Sequence, residues 1–120
     1  MKYNLSEMET KLAEIIWERE PIKSSELVDI CAEEFDWKKS TTYTMLKRVE
    51  NKGVIINEDG IVKSIISRKD FYAGLSSNYV NKSFGGSLPK FIAAFTRAEK
   101  LSDAEIKEIE AMIRHHREEK

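Results

Sequence analysis

The chain has 120 residues, 41% hydrophobic and 34% charged, with a formal net charge of −1; that suits one domain, or a small domain with an appended arm, and a modest core. The near-neutral total excludes nucleic-acid binding through bulk charge, so such a partner would have to be met by a local patch. The single cysteine excludes an internal disulfide framework, no apolar run approaches the roughly 20 residues that span a membrane, and Lys2 leads into polar and acidic residues with no signal-peptide core, so the expected location is the cytoplasm.

Ser6-Glu7-Met8-Glu9 reads as a capping box, serine at N-cap and glutamate at N3. Behind it Met8, Leu12, Ile15 and Ile16 recur at i, i+4, i+7 and i+8, the spacing of an amphipathic helix. Pro21 stops that helix, and Trp17 is expected to close the core at its end. Pro21-Ile22-Lys23 reads as a short extended link. A second helix opens at Ser24-Ser25-Glu26 and buries Leu27, Val28, Cys31 and Phe35. On that face Cys31 is a small core residue rather than a reactive thiol.

A turn over residues 36–39 leads to a third helix. Thr42, Met45, Leu46 and Val49 form its buried stripe. Ser40, Tyr43, Thr44, Lys47, Arg48 and Asn51 face the other way. From Trp37 to Lys52 there are five basic residues against Glu50 alone, a local net of +4. Ser40 is placed to cap the helix start, and Gly53 to take the left-handed position after its end. Two helices, a turn and a third helix with a basic outer face make a helix-turn-helix. The predicted contacts to double-stranded DNA are Lys39, Ser40, Thr41, Tyr43, Thr44, Lys47 and Arg48. Lys47 and Arg48 suit phosphates; Ser40, Tyr43 and Thr44 suit base edges or the groove wall. On this stretch alone, a solvated helix that happens to be basic remains the alternative.

After Gly53 the hydrophobic period drops to about 2. Residues 54–57 and 61–66 read as strands joined by Glu58-Asp59-Gly60, with Asp-Gly as the hairpin signal. A hairpin directly behind a recognition helix is a wing. Lys63 and Arg68 are in reach of flanking phosphates from it, unless the hairpin is scaffold alone.

Ser67-Arg68-Lys69-Asp70 starts a fourth helix with Phe71, Tyr72, Leu75, Tyr79 and Val80 on one side, ending at Phe84-Gly85-Gly86. Ser87-Leu88-Pro89 starts a fifth, apolar nearly all round from Phe91 to Phe95. Ser102-Asp103-Ala104-Glu105 is a second capping box, followed by the stripe Ile106, Ile109, Met112 and Ile113. The tail from Arg114 to Lys120 is polar and expected to fray. The predicted fold is mainly α: a winged helix-turn-helix over residues 1–68 and a three-helix dimerisation arm over 69–120. The arm is too small to bury its apolar residues alone. A second copy is the simplest partner, with Phe91, Phe95, Ile106, Ile109, Met112 and Ile113 at the contact.

With these elements in order, the chain resembles the penicillinase-repressor family, repressors of β-lactam and copper resistance. The resemblance is carried by Ser6 to Glu9 through Ile15-Ile16-Trp17, by Trp37, Thr41, Thr44 and Arg48, by Lys52-Gly53, by Phe84-Gly85-Gly86-Ser87-Leu88, by Phe91 to Phe95, and by Leu101 to Glu105. It implies a homodimer on inverted-repeat operators. It also implies inactivation by a membrane sensor with a zinc metalloprotease domain, which leads to a cut in the arm before a phenylalanine. Here that bond is Ala94-Phe95, with alanine where family members often have asparagine. The wing reads Gly60-Ile61-Val62-Lys63-Ser64 where family members often carry arginine and tyrosine. The copper branch ends in a cysteine-rich motif, which this chain lacks.

No nucleophile-base pattern, glycine-rich phosphate loop or metal-ligand cluster is legible, so neither catalysis nor a cofactor is expected. His115 and His116 are adjacent, about 100° apart on a helix, not at the i, i+3 or i, i+4 spacing of helical metal sites. Two other functions fit the same pattern: a winged-helix module docking on an acidic protein, and a repressor that binds a small molecule.

Overall fold

The computed structural model describes residues 4–119; Lys2 and Lys120, which entered the reading of the two termini, lie outside them. Six helices and three short strands follow in the order α1 (Glu7–Arg19), β1 (Ile22–Lys23), α2 (Ser24–Phe35), α3 (Lys39–Asn51), β2 (Ile55–Glu58), β3 (Ile61–Ser64), α4 (Arg68–Phe84), α5 (Leu88–Ala98) and α6 (Asp103–Glu118). The chain is mainly helical, with a winged-helix arrangement of α1 to β3 followed by the C-terminal helices. Contacts within the chain divide it into a first unit ending at Asn78 and a second beginning at Tyr79.

In the first unit each helix end has an identifiable cause. The Ser6 N–H donates to Glu9 Oε1 (2.8 Å) and the Glu9 N–H to Ser6 Oγ (3.1 Å), the reciprocal pair of a capping box. α2 starts without a side-chain cap. Instead, the Ser24 N–H donates to the Gly60 carbonyl in the wing turn (2.8 Å), so the hairpin satisfies a donor the helix leaves open. α2 ends at Asp36, which takes the left-handed conformation (φ 58°). α3 closes with Gly53 at φ 83°. The Gly53 N–H reaches the Glu50 carbonyl and the Val54 N–H the Val49 carbonyl, the paired bonds of a Schellman ending.

The hairpin turns on Asp59 (φ 53°) and Gly60 (φ 84°), with Glu58 paired to Ile61 across it. Two consecutive positive φ angles match the strand twist of a two-residue hairpin. Residues 22 and 23, read as a link, form a third strand: Ile22 pairs with Val62 and Lys23 with Ile61, giving the sheet order β1-β3-β2. Two residues carry no periodicity, and only the partner strand makes them one.

The core of this unit gathers Leu12 and Ile16 from α1, Ile22, Leu27 and Cys31, then Met45, Leu46 and Val49 from α3, with Val54, Ile55, Val62, Ile66 and Phe71 closing it. Val28 and Phe35 are only half-buried, Phe35 lying against Trp37 with ring centroids 5.0 Å apart. Trp17 sits at the core's edge. Its Nε1 donates to the Ile66 carbonyl (3.0 Å) and its ring packs on Phe71 and Tyr72. Of the expected apolar side of α4, Phe71 is buried and Tyr72 half-buried, while Leu75 and Tyr79 stand exposed.

In the second unit α5 is capped by Ser87, whose Oγ accepts from the Lys90 N–H, and α6 by the Ser102–Glu105 box. Tyr79, Phe84, Phe91 and Phe95 make a chain of ring contacts. No residue of α5 or α6 is buried within the chain. The polar stretch from Arg114 continues α6 through Glu118. Basic side chains in its last turn complement the negative end of the helix dipole.

Candidate nucleic-acid interface

α3 presents two chemically different sides. Thr42, Met45, Leu46 and Val49 are its buried residues, the stripe read from spacing. The buried Thr42 hydroxyl faces the Lys38 carbonyl (3.4 Å), so the one polar group of the stripe is satisfied locally. The helix begins at Lys39, with Lys38 as its N-cap and no capping side chain. Ser40 therefore does not cap it. It lies within the first turn, because the extended Lys38 starts the helix earlier than Ser40.

Ser40, Thr44 and Arg48 stand at i, i+4 and i+8, one row along the outer side, with Thr41 and Met45 beside them. Together these five line a shallow hollow of about 230 Å³. Its polar groups are hydroxyls and a guanidinium, able to donate to phosphates or base acceptors. Arg48 Nη1 lies 3.8 Å from Met45 Sδ, a weak contact that rests the side chain along the helix. Lys47 is 71% exposed and makes only a loose pair with Glu50 (3.9 Å). Lys39 is exposed at the helix start. Tyr43 is held differently: its hydroxyl lies 3.2 Å from Ser24 Oγ at the start of α2. That bond gives the ring a fixed position between the two helices of the motif.

The basic balance is smaller than composition suggests. Lys52, although exposed, is engaged within the chain, donating to Glu9 Oε1 (2.7 Å) and the Asn4 carbonyl (2.8 Å). Glu9 is 4% exposed. Burial pushes its pKa up, but the bonds from Lys52 and Ser6 outweigh that and leave it lowered. Lys52 thus neutralises a buried carboxylate, which leaves Lys38, Lys39, Lys47 and Arg48 as the cations of the segment available to a partner. Nothing in local spacing pairs positions 9 and 52; only the packing of α1 on α3 does.

On the wing, Lys63 is exposed and 3.6 Å from Glu58. Arg68 is not free: its Nε donates to Glu14 Oε1 (2.8 Å) and its guanidinium lies over the Tyr72 ring, 4.8 Å from the centroid. The site geometry thus gathers Ser40, Thr41, Thr44 and Arg48, places Lys39 and Lys47 on the same helix, and leaves Lys63 on a separate element. Of the arm residues, Ile106, Ile109, Met112, Ile113 and Phe95 are exposed and Phe91 is half-buried. Ala94 and Phe95 lie in mid-α5, both exposed.

Cys31 is fully buried and unpaired, and burial raises its thiol pKa, the condition of an inert core thiol. His115 pairs with Glu119 at 3.5 Å. Among the described residues no group of three or more His, Cys, Asp or Glu gathers to hold a metal, and no helix is long and apolar enough to cross a membrane.

Residues 5–115 match the model of the family described as penicillinase repressor. The penicillinase repressor of Bacillus licheniformis is 24% identical over 120 residues, covering 97% of this chain and 94% of that protein. The methicillin resistance regulatory proteins MecI of Staphylococcus aureus (strain N315) and Mammaliicoccus sciuri are each 25% identical over 115 residues, covering 92% of this chain and 94% of theirs. Taken with a winged helix whose third helix turns a basic, hydroxyl-rich face outward, the match over nearly the whole length shows that the chain belongs to the penicillinase repressor family of DNA-binding transcriptional regulators and is not an enzyme.

Proposed function

We propose that this protein represses resistance genes, β-lactam resistance foremost, as a cytoplasmic homodimer on inverted-repeat operators. The names of its relatives point to such targets. The observation that carries the DNA-binding part is the outer face of α3: Lys39, Ser40, Thr41, Tyr43, Thr44, Lys47 and Arg48 face away from the core on one rigid helix. Lys47 and Arg48 hold phosphates, and the Ser40–Thr44 row reads the groove. Lys63 adds a phosphate contact from the wing when it leaves Glu58. Residues 1–68 serve as the DNA-binding domain and 69–120 as the dimerisation domain, with α4 beginning in the body.

Dimerisation is supported by the arm's surface. Leu88, Ile92, Phe95, Ile106, Ile109, Met112 and Ile113 are all exposed on two well-capped helices. An apolar surface of that extent marks an association face. A second copy covers it with the same residues, as a two-fold interface requires.

Repression ends when a membrane sensor with a metalloprotease domain triggers a cut between Ala94 and Phe95. The bond lies inside α5, so that helix must open locally before a protease can bind it. The cut separates Phe95 and α6 from the rest of the chain. Each monomer then binds one half-site without its tethered partner, losing a factor on the order of 10²–10⁴ in effective concentration. Co-expression with the sensor, induction and fragment masses test this: a fragment ending at Ala94 is expected, and full derepression with the chain intact contradicts it.

For DNA binding itself, footprinting on the region upstream of the gene should protect two inverted half-sites, with affinity falling steeply as salt rises. No protection at low salt, together with salt-sensitive binding to an acidic protein, would favour the protein-docking module instead. A thermal shift with a small inducer, and no cleavage, would favour a ligand-responsive repressor.

A further inference from the structure

Within the first unit, a closed circuit of hydrogen bonds leaves α3 in its first half and returns to it in its last turn. The Tyr43 hydroxyl lies 3.2 Å from Ser24 Oγ. The Ser24 N–H donates to the Gly60 carbonyl at the tip of the hairpin (2.8 Å). The Gly60 N–H donates to Asn57 Oδ1 (3.1 Å), and the Asn57 N–H donates to Glu50 Oε2 on α3 (3.2 Å). Both backbone groups of Gly60 are thus engaged. The core grips the hairpin through the buried Ile55 and Val62, and β1 pairs with β3 at Val62 and Ile61. A ribbon of two four-residue strands is marginal by itself, so the aim of its tip depends on what fastens it to the body. Ser24 is only 7% exposed, and a hydrogen bond shielded from water is electrostatically stronger than one at the surface.

We propose that Ser24, Asn57 and Glu50 are positioning residues that lock the wing to the recognition helix, so that Lys63 meets the DNA backbone in fixed register with Lys47. The proposal rests on the reading above in which the outer face of α3 and the wing both touch DNA. Lys63 pairs across the hairpin with Ile56, the neighbour of Asn57, so the point where Glu50 holds β2 lies beside the lysine. The other oxygen of Glu50 lies 3.9 Å from Lys47 Nζ. One carboxylate therefore stands between a phosphate-seeking lysine on the helix and the backbone of the wing. Ser24 does the same work at the other end, joining the Tyr43 ring to the wing turn. With these bonds already made, the wing need not be ordered when DNA arrives, and the cost of immobilising Lys63 against a phosphate is low. With one bond cut, that ordering falls on the binding step, and the contribution of Lys63 shrinks although its charge is still present.

The test is a set of double-mutant cycles on the full-length protein, read by fluorescence anisotropy on the footprinted operator across a salt series. Ser24→Ala removes one hydroxyl and keeps the N–H bond to Gly60; Asn57→Ala breaks the circuit at a second point, so a folded variant is available even if one of them is unstable. Lys63→Ala and Lys47→Ala are each added to wild type and to both variants. In wild type, Lys63→Ala should weaken binding about fivefold and lower the salt slope by about 1 per protomer. In Ser24→Ala and in Asn57→Ala, adding Lys63→Ala should weaken binding by less than about twofold, whereas independent residues would multiply their effects. Neither parent substitution removes a charge, yet both should show a reduced slope, which a merely stabilising residue would not produce. Lys47→Ala should keep its full effect in all backgrounds, because α3 itself is unmoved. If Lys63→Ala costs as much in the variants as in wild type, or if the Lys47 effect shrinks along with it, the circuit only stabilises the fold and the inference alone fails. If Lys63→Ala changes nothing in wild type while Lys47→Ala does, the wing does not touch DNA, and that part of the reading fails together with the inference.

Discussion

Glu9 and Lys52 show how a single residue pair redirects a functional reading. In the sequence Lys52 counts toward the basic patch; in the fold it is bonded to a buried carboxylate and a backbone carbonyl. Removing it leaves Glu9 buried beside α3 with only the Ser6 cap. Lys52→Met should therefore destabilise the first unit by about 1–3 kcal/mol, measured by urea denaturation. Glu9 and Glu14 both have lowered pKa values. For Glu9, burial opposes the shift and the Lys52 and Ser6 bonds prevail; for Glu14, the Arg68 bond is the main cause. A carboxylate whose folded pKa is depressed contributes stability above its unfolded value, and that contribution disappears as pH falls through the folded pKa. Stability should thus hold through neutral pH and decline below the ordinary glutamate value of 4.5. Glu9→Gln should be less stable at pH 7 and show a shallower acid decline. Urea midpoints between pH 7 and pH 3 would check this, and equal acid slopes for the two proteins would contradict it.

At the scale of elements, the helices and the hairpin are legible in the sequence because their signals are local. The buried stripe of α3, both capping boxes, the glycine after α3 and the Asp-Gly turn are each marked by residues close together along the chain. β1 is not legible, since two residues become a strand only through pairing with β3. Reading a serine as its cap misplaces the start of α3, where the extended Lys38 is the N-cap. Gly60 allows a direct element-level test. Its φ of 84° is costly for any residue with a Cβ, while the nearest atom to an added Cβ, Ser24 Oγ, would be 3.8 Å away. Gly60→Ala should cost about 1–2 kcal/mol through backbone strain rather than clash, and its carbonyl's hold on the Ser24 N–H makes α2 share the loss. Thermal denaturation gives the total, and amide exchange at Ser24 reports the local part.

For the whole molecule, the core of the first unit can be read from periodicity, but the arm can only be read as incomplete. α5 and α6 carry well-formed caps and an apolar stripe, yet bury nothing within the chain. Ile109→Asp places a charge in the middle of that stripe, which costs several kcal/mol if the face is covered and almost nothing if it is bare. Sedimentation at low concentration should show the variant as monomer where wild type is dimer; an unchanged oligomer would put the interface elsewhere. On the proposed reading, the pairing of half-sites by such a dimer gives the affinity, while α3 gives the reading of sequence. Thr44→Ala should accordingly relax discrimination at one or two base pairs by roughly 1–3 kcal/mol, measured with single-base operator variants.

Whether the outer face of α3 is the DNA surface is tested most directly by the salt dependence of operator binding. Removing one lysine–phosphate interaction lowers the slope of log affinity against log salt by about 1. Lys47 is exposed on that face and only loosely paired, whereas Lys52, one helical turn past Arg48, is bonded to Glu9 and to the Asn4 carbonyl. Binding of wild type, Lys47→Ala and Lys52→Met would be measured across a salt series at a temperature where all three are folded. Lys47→Ala should show a slope reduced by about 1 and weaker binding to every sequence, and Lys52→Met should keep the wild-type slope. A Lys47→Ala protein with wild-type affinity and slope would show that this face does not touch DNA.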